Sequence, residues 1–233
     1  MTAALVIIGF LAIIAIGIYF GWYARKKRRE ELARMATQLG FQYAAEDPFG
    51  LLGLPFGLLK MGDGRGCENV MWGAWQDIQL REFDYWYYDE STDSEGHRTK
   101  TYHRFSCVVS ELPFTSSSLS LTRENFFTRL ADHLGFQDIN FESEEFNRRY
   151  QVKSKDKKFA NDLIDARMMQ WLLGRNEGWS FELSGPYVLC HHKRLRPLEL
   201  MPLLGEMKEF RDHIPRVVYG LYGEQAAGPQ FTA

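Results

Sequence analysis

Twenty consecutive residues without a charge, Ala4 to Tyr23 (ALVIIGFLAIIAIGIYFGWY), precede a block of five cations, Arg25 to Arg29 (RKKRR). A helix rises about 1.5 Å per residue, so such a run covers about 30 Å, the thickness of a bilayer's hydrocarbon. Tyr19, Phe20, Trp22 and Tyr23 crowd its C-terminal end, where amphipathic rings favour the headgroup layer. The order predicts a transmembrane helix over 1–23. Ala4, Leu5, Gly17, Gly21, Trp22 and Tyr23 belong to the span, and Arg25, Lys26, Lys27, Arg28 and Arg29 form its cationic anchor.

A cleaved signal peptide would need a positive start, a shorter apolar run and a small-residue cleavage site. None of these is present. The five cations follow the run, so the positive-inside rule places the body in the cytoplasm and the N-terminus outside. The expected location is the cell membrane, as a single-pass protein with the lipid bilayer as one partner. Absence of an Asn-x-Ser/Thr sequon agrees. Gly17 and Gly21 form a GxxxG pair, a device that lets spanning helices approach, but it sits at the end of the run and leaves self-association undecided. The basic block could attract acidic lipid at about 1 kcal/mol per residue, although fixing topology already accounts for it.

The rest of the 233 residues is globular in composition, with 45% hydrophobic, 15% aromatic and 25% charged residues. Setting aside the basic block leaves 23 Lys and Arg against 30 Asp and Glu, a net −7. A mildly acidic body is no nucleic-acid binder, since phosphates call for a clustered basic face. Cys67, Cys107 and Cys190 are odd in number and far apart, which gives no disulfide framework and suits a reducing compartment.

Periodicity sets out the body. Leu32, Met35, Ala36 and Leu39 recur at helical spacing, so 24–40 is predicted as a basic juxtamembrane helix stopped by Gly40 and packed on the domain. The Pro- and Gly-punctuated stretch Phe41 to Gly66 reads as irregular chain. NVMWGAW and IQLREFDYWYY, joined by Gln76-Asp77, read as strands, and TYHRFSCVVSEL returns after a mobile tip over Asp89 to Thr99. A short LSL strand and a helix over Arg123 to Leu134 follow. FNRRYQVKS reads as a strand, and Asp156 and Asp165 cap two short helices. WSFEL and YVLCHHK read as a hairpin about Ser184-Gly185-Pro186, and Leu200 to Ile214 as an amphipathic helix. About six strands and four or five helices imply an α+β domain with a mostly antiparallel sheet, packed helices and a C-terminal amphipathic helix. The soluble domain is 41–222, and 223–233 is a disordered tail. A pleckstrin-homology-like split barrel also fits the order of elements.

The segment FESEEFNRRYQVKSKDKKFANDLIDARMMQWLL, Phe141 to Leu173, resembles an uncharacterised bacterial family of N-terminally membrane-anchored proteins with a domain of unknown function. EDPFGLL at Glu46 to Leu52 and IPRVV at Ile214 to Val218 are similar to the same family. The resemblance implies the layout of anchor plus domain and assigns no catalytic residue and no cofactor. Physically, Phe141, Phe146, Tyr150 and Val152 suit a core, as do Met168, Met169, Trp171 and Leu172 on a helix.

Candidate chemistry is sparse. Cys190 and His192 can share a strand face, with His103 or Cys107 as a third ligand from elsewhere, but two ligands make no zinc site. Gly62, Gly64 and Gly66 lack the Lys-Ser/Thr of a P-loop and read as a turn. No GxSxG elbow or HExxH helix occurs, so no catalytic, metal or cofactor residue is assigned. The crowded rings Trp72, Trp75, Tyr85, Trp86, Tyr87 and Tyr88 either pack a core or present a face to a partner. The expected function is a membrane-tethered cytoplasmic interaction module that binds a protein partner at the membrane through this hairpin. The alternative is a ligand- or metal-binding, hydrolytic domain built on the Cys107, Cys190 and His cluster.

Overall fold

The computed structural model describes residues 2–123, 136–175 and 178–223, and in the first helix the described side chains are those of 7 and of 9 onward. That helix, α1, runs unbroken from Thr2 to Leu39. The apolar run and the basic helix behind it are therefore one rod, about 57 Å long. Among the described residues no helix is long and apolar enough to cross a membrane. Ala4, Leu5, Val6 and Ile8, which open the apolar run, lie outside the described side chains. Gly40 ends the rod at φ 71°, with Phe41 N–H donating to Ala36 O, as a left-handed glycine stop should.

Behind the helix lies an α+β body with a seven-stranded sheet, antiparallel at every described pairing. Its strands are β1 (Gln42–Glu46), β2 (Gly64–Trp75), β3 (Ile78–Thr92), β4 (Arg98–Arg123), β5 (Gln137–Ile139), β6 (Tyr150–Ser154) and β7 (Ser180–Lys193). The helices are α2 (Glu144–Arg149), α3 (Lys157–Leu163), α4 (Ala166–Leu173), α5 (Leu200–His213) and α6 (Arg216–Tyr222). The long β4 is the axis. Arg98 to Ser110 pair with β3, Leu119 to Arg123 pair with β6, and β7 follows the other edge from Phe105 to Leu121. No described pairing closes the sheet, so the split-barrel expectation gives way to an open, branched sheet.

Hydrophobic residues fill both faces. On one face Leu32 and Ala36 of α1 join Phe114, Phe146, Phe159, Phe181 and Phe210 under the helices. On the other, Phe83, Tyr85, Tyr87, Phe105 and Cys107 are covered by Leu51, Phe56, Leu58 and Leu59 from two 3-10 turns. The stripe of α1 thus docks on the domain as expected, and Asp156 and Asp165 cap α3 and α4 through Phe159 N–H and Met168 N–H.

Several expectations are corrected. The stretch after Phe41 holds β1, a short edge strand whose Ala44 and Ala45 carry little strand signal. Asp89 to Thr99 is mostly ladder, since β3 and β4 stay in register to Thr92 and Arg98, leaving a tip of 93–97 with Gly96 at φ 86°. The LSL strand is the far end of β4 rather than a separate element. Pro113 falls between the last β3 pairing at Ser110 and the first β6 pairing at Leu119, where its missing N–H interrupts neither ladder. FNRRYQVKS divides into α2 and β6, because Ser143 Oγ accepts from Phe146 N–H and starts a turn with Glu144 and Glu145 first and Arg148 and Arg149 last. WSFEL and YVLCHHK are one strand, not a hairpin. Gly185, at φ 58°, pairs with Ser116 where β4 carries extra residues on either side, and β7 continues through it. After Pro215 the chain forms α6. The helix expected over Arg123 to Leu134 lies outside the described residues beyond Arg123, and the tail lies outside them beyond Gly223.

Candidate interaction surface

The hairpin β2–β3 turns on Gln76 and Asp77, both left-handed at φ 45° and 68°, which matches the twist of a two-residue connection. Strand alternation then separates the rings of β3. Tyr85 and Tyr87 point into the second core and are 1% and 4% exposed. Burial raises the Tyr85 pKa, since the phenolate would have to form away from water. Trp72 packs edge-on against Phe49 at 5.0 Å on that same side, and Trp75 packs against the helix-side core. Of the six rings expected to form a face, these four are core-packed, which corrects that part of the expectation.

Trp86 and Tyr88 go the other way. They stack at 6.4 Å with 11° between planes, and Tyr102 of β4 leans on both, at 6.0 and 5.4 Å. Tyr102 is 51% exposed. Lys100 Nζ lies 4.3 Å above Tyr88 and the Arg104 guanidinium 5.5 Å from Tyr102. Cation and ring attract in that geometry. The rings lie flat because Gly64 and Gly66 of β2 sit beneath them in register with Tyr88 and Trp86. A β-carbon on Gly66 would come 2.8 Å from Trp86 Cζ2, and one on Gly64 would strike the Tyr88 ring. Of the glycines expected as a turn, Gly64 and Gly66 are strand positions, whereas Gly62, left-handed at φ 76°, lies in the bend that leads into β2.

The same face carries a buried charge cluster toward α1. Arg28 Nε and Nη2 donate to Asp84 Oδ2 and Oδ1 at 2.6 and 2.5 Å, and Nη1 donates to Leu195 O at 2.7 Å. Asn69, left-handed at φ 56° in a bulge of β2, donates to Asp84 Oδ2 at 2.8 Å and accepts from Tyr43 Oη at 2.9 Å. Burial alone would lower the Arg28 pKa, but the Asp84 hydrogen bond and charge outweigh it and raise it. Next along β3, Glu82 is fully buried. Burial and then the Asp84 charge push its carboxyl well above the carboxylate range, against the pull of Arg28. Arg28, read from sequence as one of five cations of the anchor, clamps α1 to the sheet.

No protein-family model matches the chain, and no curated protein matches it. In fold it is similar to a solved structure, the crystal structure of the mycobacterial trehalose monomycolate transport factor A, TtfA. The TM-score is 0.59 at 14% identity, over 82% of this chain and 96% of that one. The likeness is one of fold.

Among the described residues the cysteines and histidines do not gather into one cluster. Cys107 faces the second core and Cys190 the helix-side core, so the sheet separates them. Among the described residues no three His, Cys, Asp or Glu side chains are placed to hold a metal. His191, not Cys190, is the register partner of Cys107, and it is fully buried. Its Nε2 lies 3.8 Å from Glu182 Oε1. Glu182 accepts from Gly57 N–H at 2.6 Å and Leu58 N–H at 3.0 Å, tying the 3-10 segment down over the second core. Burial raises its pKa to about 7 despite those bonds, and burial lowers that of His191 to about 3. The sequence names Arg28 as an anchor cation without its partner Asp84, and leaves Glu182 unremarked. The signal for Arg28 was present, since 28, 32 and 36 share one helix face. Glu182 stands between Phe181 and Leu183 with nothing in sequence to name its backbone partners.

Proposed function

We propose that this chain is a single-pass membrane-anchored protein whose body, held on the cytoplasmic side, docks a protein partner at the bilayer surface through Trp86, Tyr88 and Tyr102. The observation that carries the reading is the ring face itself: Trp86 and Tyr88 stacked over two glycines with Tyr102 tilted against both, flanked by Lys100 and Arg104, and partly open to solvent. Tyr, Trp and Arg are the residues enriched where partners bind.

The anchor reading counts the whole run Ala4 to Tyr23, including the residues whose side chains are not described. Its support is the unbroken helix, the exposure of Ile13, Ile18, Phe20 and Trp22 along it, and the cations Arg25, Lys26, Lys27 and Arg29 that follow. So much contiguous apolar surface calls for a lipid or protein cover. Tethering confines the ring face to a layer next to the membrane and raises its effective concentration for partners there. Membership in the bacterial family that the Phe141 to Leu173 segment resembles belongs to the same proposal.

A photo-cross-linking residue at Tyr102 in the full chain, irradiated in native membranes, tests the docking face. The expected result is one discrete adduct that Trp86→Ala abolishes; no adduct, or adducts indifferent to Trp86→Ala, overturns it. A protease-sensitive reporter behind Ala233 is expected to survive protease added to intact cells, and its digestion overturns the orientation.

A further inference from the structure

Beside the point where α1 leaves the body, a cleft of about 710 Å³ separates the helix from the segment that enters α5. Its walls are largely apolar: Met35 and Leu39 on α1 face Pro197, Leu198 and Met201. Leu198 is 94% exposed, an uncovered leucine at the lip. The volume falls in the range of about 300–1,000 Å³ that suits a small apolar ligand.

Position narrows the ligand. The cleft opens at Ala24, one residue beyond the apolar run, and extends along α1 to Leu39. Sixteen residues of helix, fifteen rises, give it a length of about 22 Å, enough for an acyl chain that crosses one leaflet of about 15 Å. Charge narrows it again. The lining cations are Lys27, Arg28, Arg34 and Arg196, and the one lining acid is Glu31. Arg28 is taken by Asp84 and Arg196 by Glu199, so Lys27 and Arg34 remain against Glu31 and leave an excess of positive charge. An apolar trough with a basic mouth at headgroup level is complementary to one amphiphile above others.

We propose that this cleft takes an acyl chain of an anionic phospholipid from the adjacent leaflet, its phosphate beside Lys27 and its chain running toward Met35 and Leu39. The proposal rests on the membrane-anchor reading and assigns the anchor's inner end a binding site of its own, separate from the ring face.

The test uses the full chain reconstituted in phosphatidylcholine vesicles containing a minor share of phosphatidylglycerol with a diazirine at the end of one acyl chain. Vesicles are floated, irradiated and the labelled peptides mapped. Labels are expected on Met35, Leu39 or Met201 as well as within Ala4 to Tyr23. Met201→Trp, which fills the cleft, is expected to cut the label on Met35 and Leu39 about tenfold while sparing the apolar run. Leu198→Asp, a surface change, is expected to act in the same direction should Met201→Trp disturb folding. Labels confined to Ala4–Tyr23 in a chain that floats overturn the cleft and leave the anchor standing. A chain that does not float overturns both. Equal labelling by a phosphatidylcholine probe with the same tail overturns the assignment of an anionic lipid.

Discussion

Arg28 and Asp84 form a two-pronged, nearly buried pair that fastens the inner half of α1 to the central hairpin of the sheet. Fifty-six residues separate them in sequence. The pair shares its pocket with a second carboxyl, Glu82, and with Asn69 and Arg194. The pair links α1 to β3 on the side of the sheet where Trp86 and Tyr88 emerge, beside the packing of Leu32 and Ala36 on the core.

Replacing Arg28 by Ala leaves Asp84 buried without its main cation, next to Glu82. Breaking one partner of such a pair costs about 3–5 kcal/mol. Thermal or urea unfolding of the full chain in detergent is expected to show that loss. Arg28→Lys is expected to recover only part of it, since an ammonium cannot make both parallel bonds to Asp84. Replacing both residues together, Arg28→Met with Asp84→Leu, is expected to recover most of it; a double variant as unstable as the single would show that the cost lies elsewhere.

The buried pair Glu182 and His191 gives two opposed pH dependences. Glu182 holds its proton to about pH 7 when folded but only to about 4.5 when unfolded, so its share of stability is complete below 4.5 and lost as pH rises to 7. His191 takes its proton only near pH 3 when folded against 6.5 when unfolded, so its share is complete above 6.5 and lost as pH falls to 3. Between 4.5 and 6.5 they offset each other. Glu182→Gln is expected to make stability fall with acid across 6.5 to 3, and His191→Gln to make it fall as pH rises from 4.5 to 7. Tm against pH for both variants checks the opposite slopes.

Much of this fold is legible in the chain, and the misses share a cause. The Gln76-Asp77 turn, the caps at Asp156 and Asp165 and the Gly40 stop act through neighbours in sequence, and each lies where reading placed it. β7 did not read correctly, because Gly185-Pro186 signals a turn locally while β4, bulged at the same level, keeps the strand straight. Tyr85 and Tyr88 read alike, and only the 3-10 cover from Leu51 to Lys60 decides that the first is core and the second surface. Arg28 resembled its four neighbours in the basic block until Asp84, far along the chain, was placed beside it.

Gly66 offers a finer test of the ring face. Gly66→Ala puts a methyl group where Trp86 lies, displacing the ring and with it the stack on Tyr88 and Tyr102. Overpacking of this kind costs about 1–3 kcal/mol, here spread over rings that are free to shift outward. The expected outcome is a stability loss near the lower end with the Tyr102 adduct reduced.

Gly185 is the backbone test of how β7 passes the bulged stretch of β4 at Ser116. At φ 58° an added β-carbon meets nothing within 4 Å, so any cost of Gly185→Ala is one of conformation and not of collision. A left-handed alanine costs about 1–2 kcal/mol. Urea unfolding of the full chain in detergent is expected to show a loss of that size with an unchanged m-value, because the left-handed glycine serves only to keep β7 beside β4 past Ser116. Gly185→Asn is expected to recover part of the loss, since asparagine tolerates the left-handed region better than alanine. Equal stability of Gly185→Ala and the parent would show that β7 bends some other way.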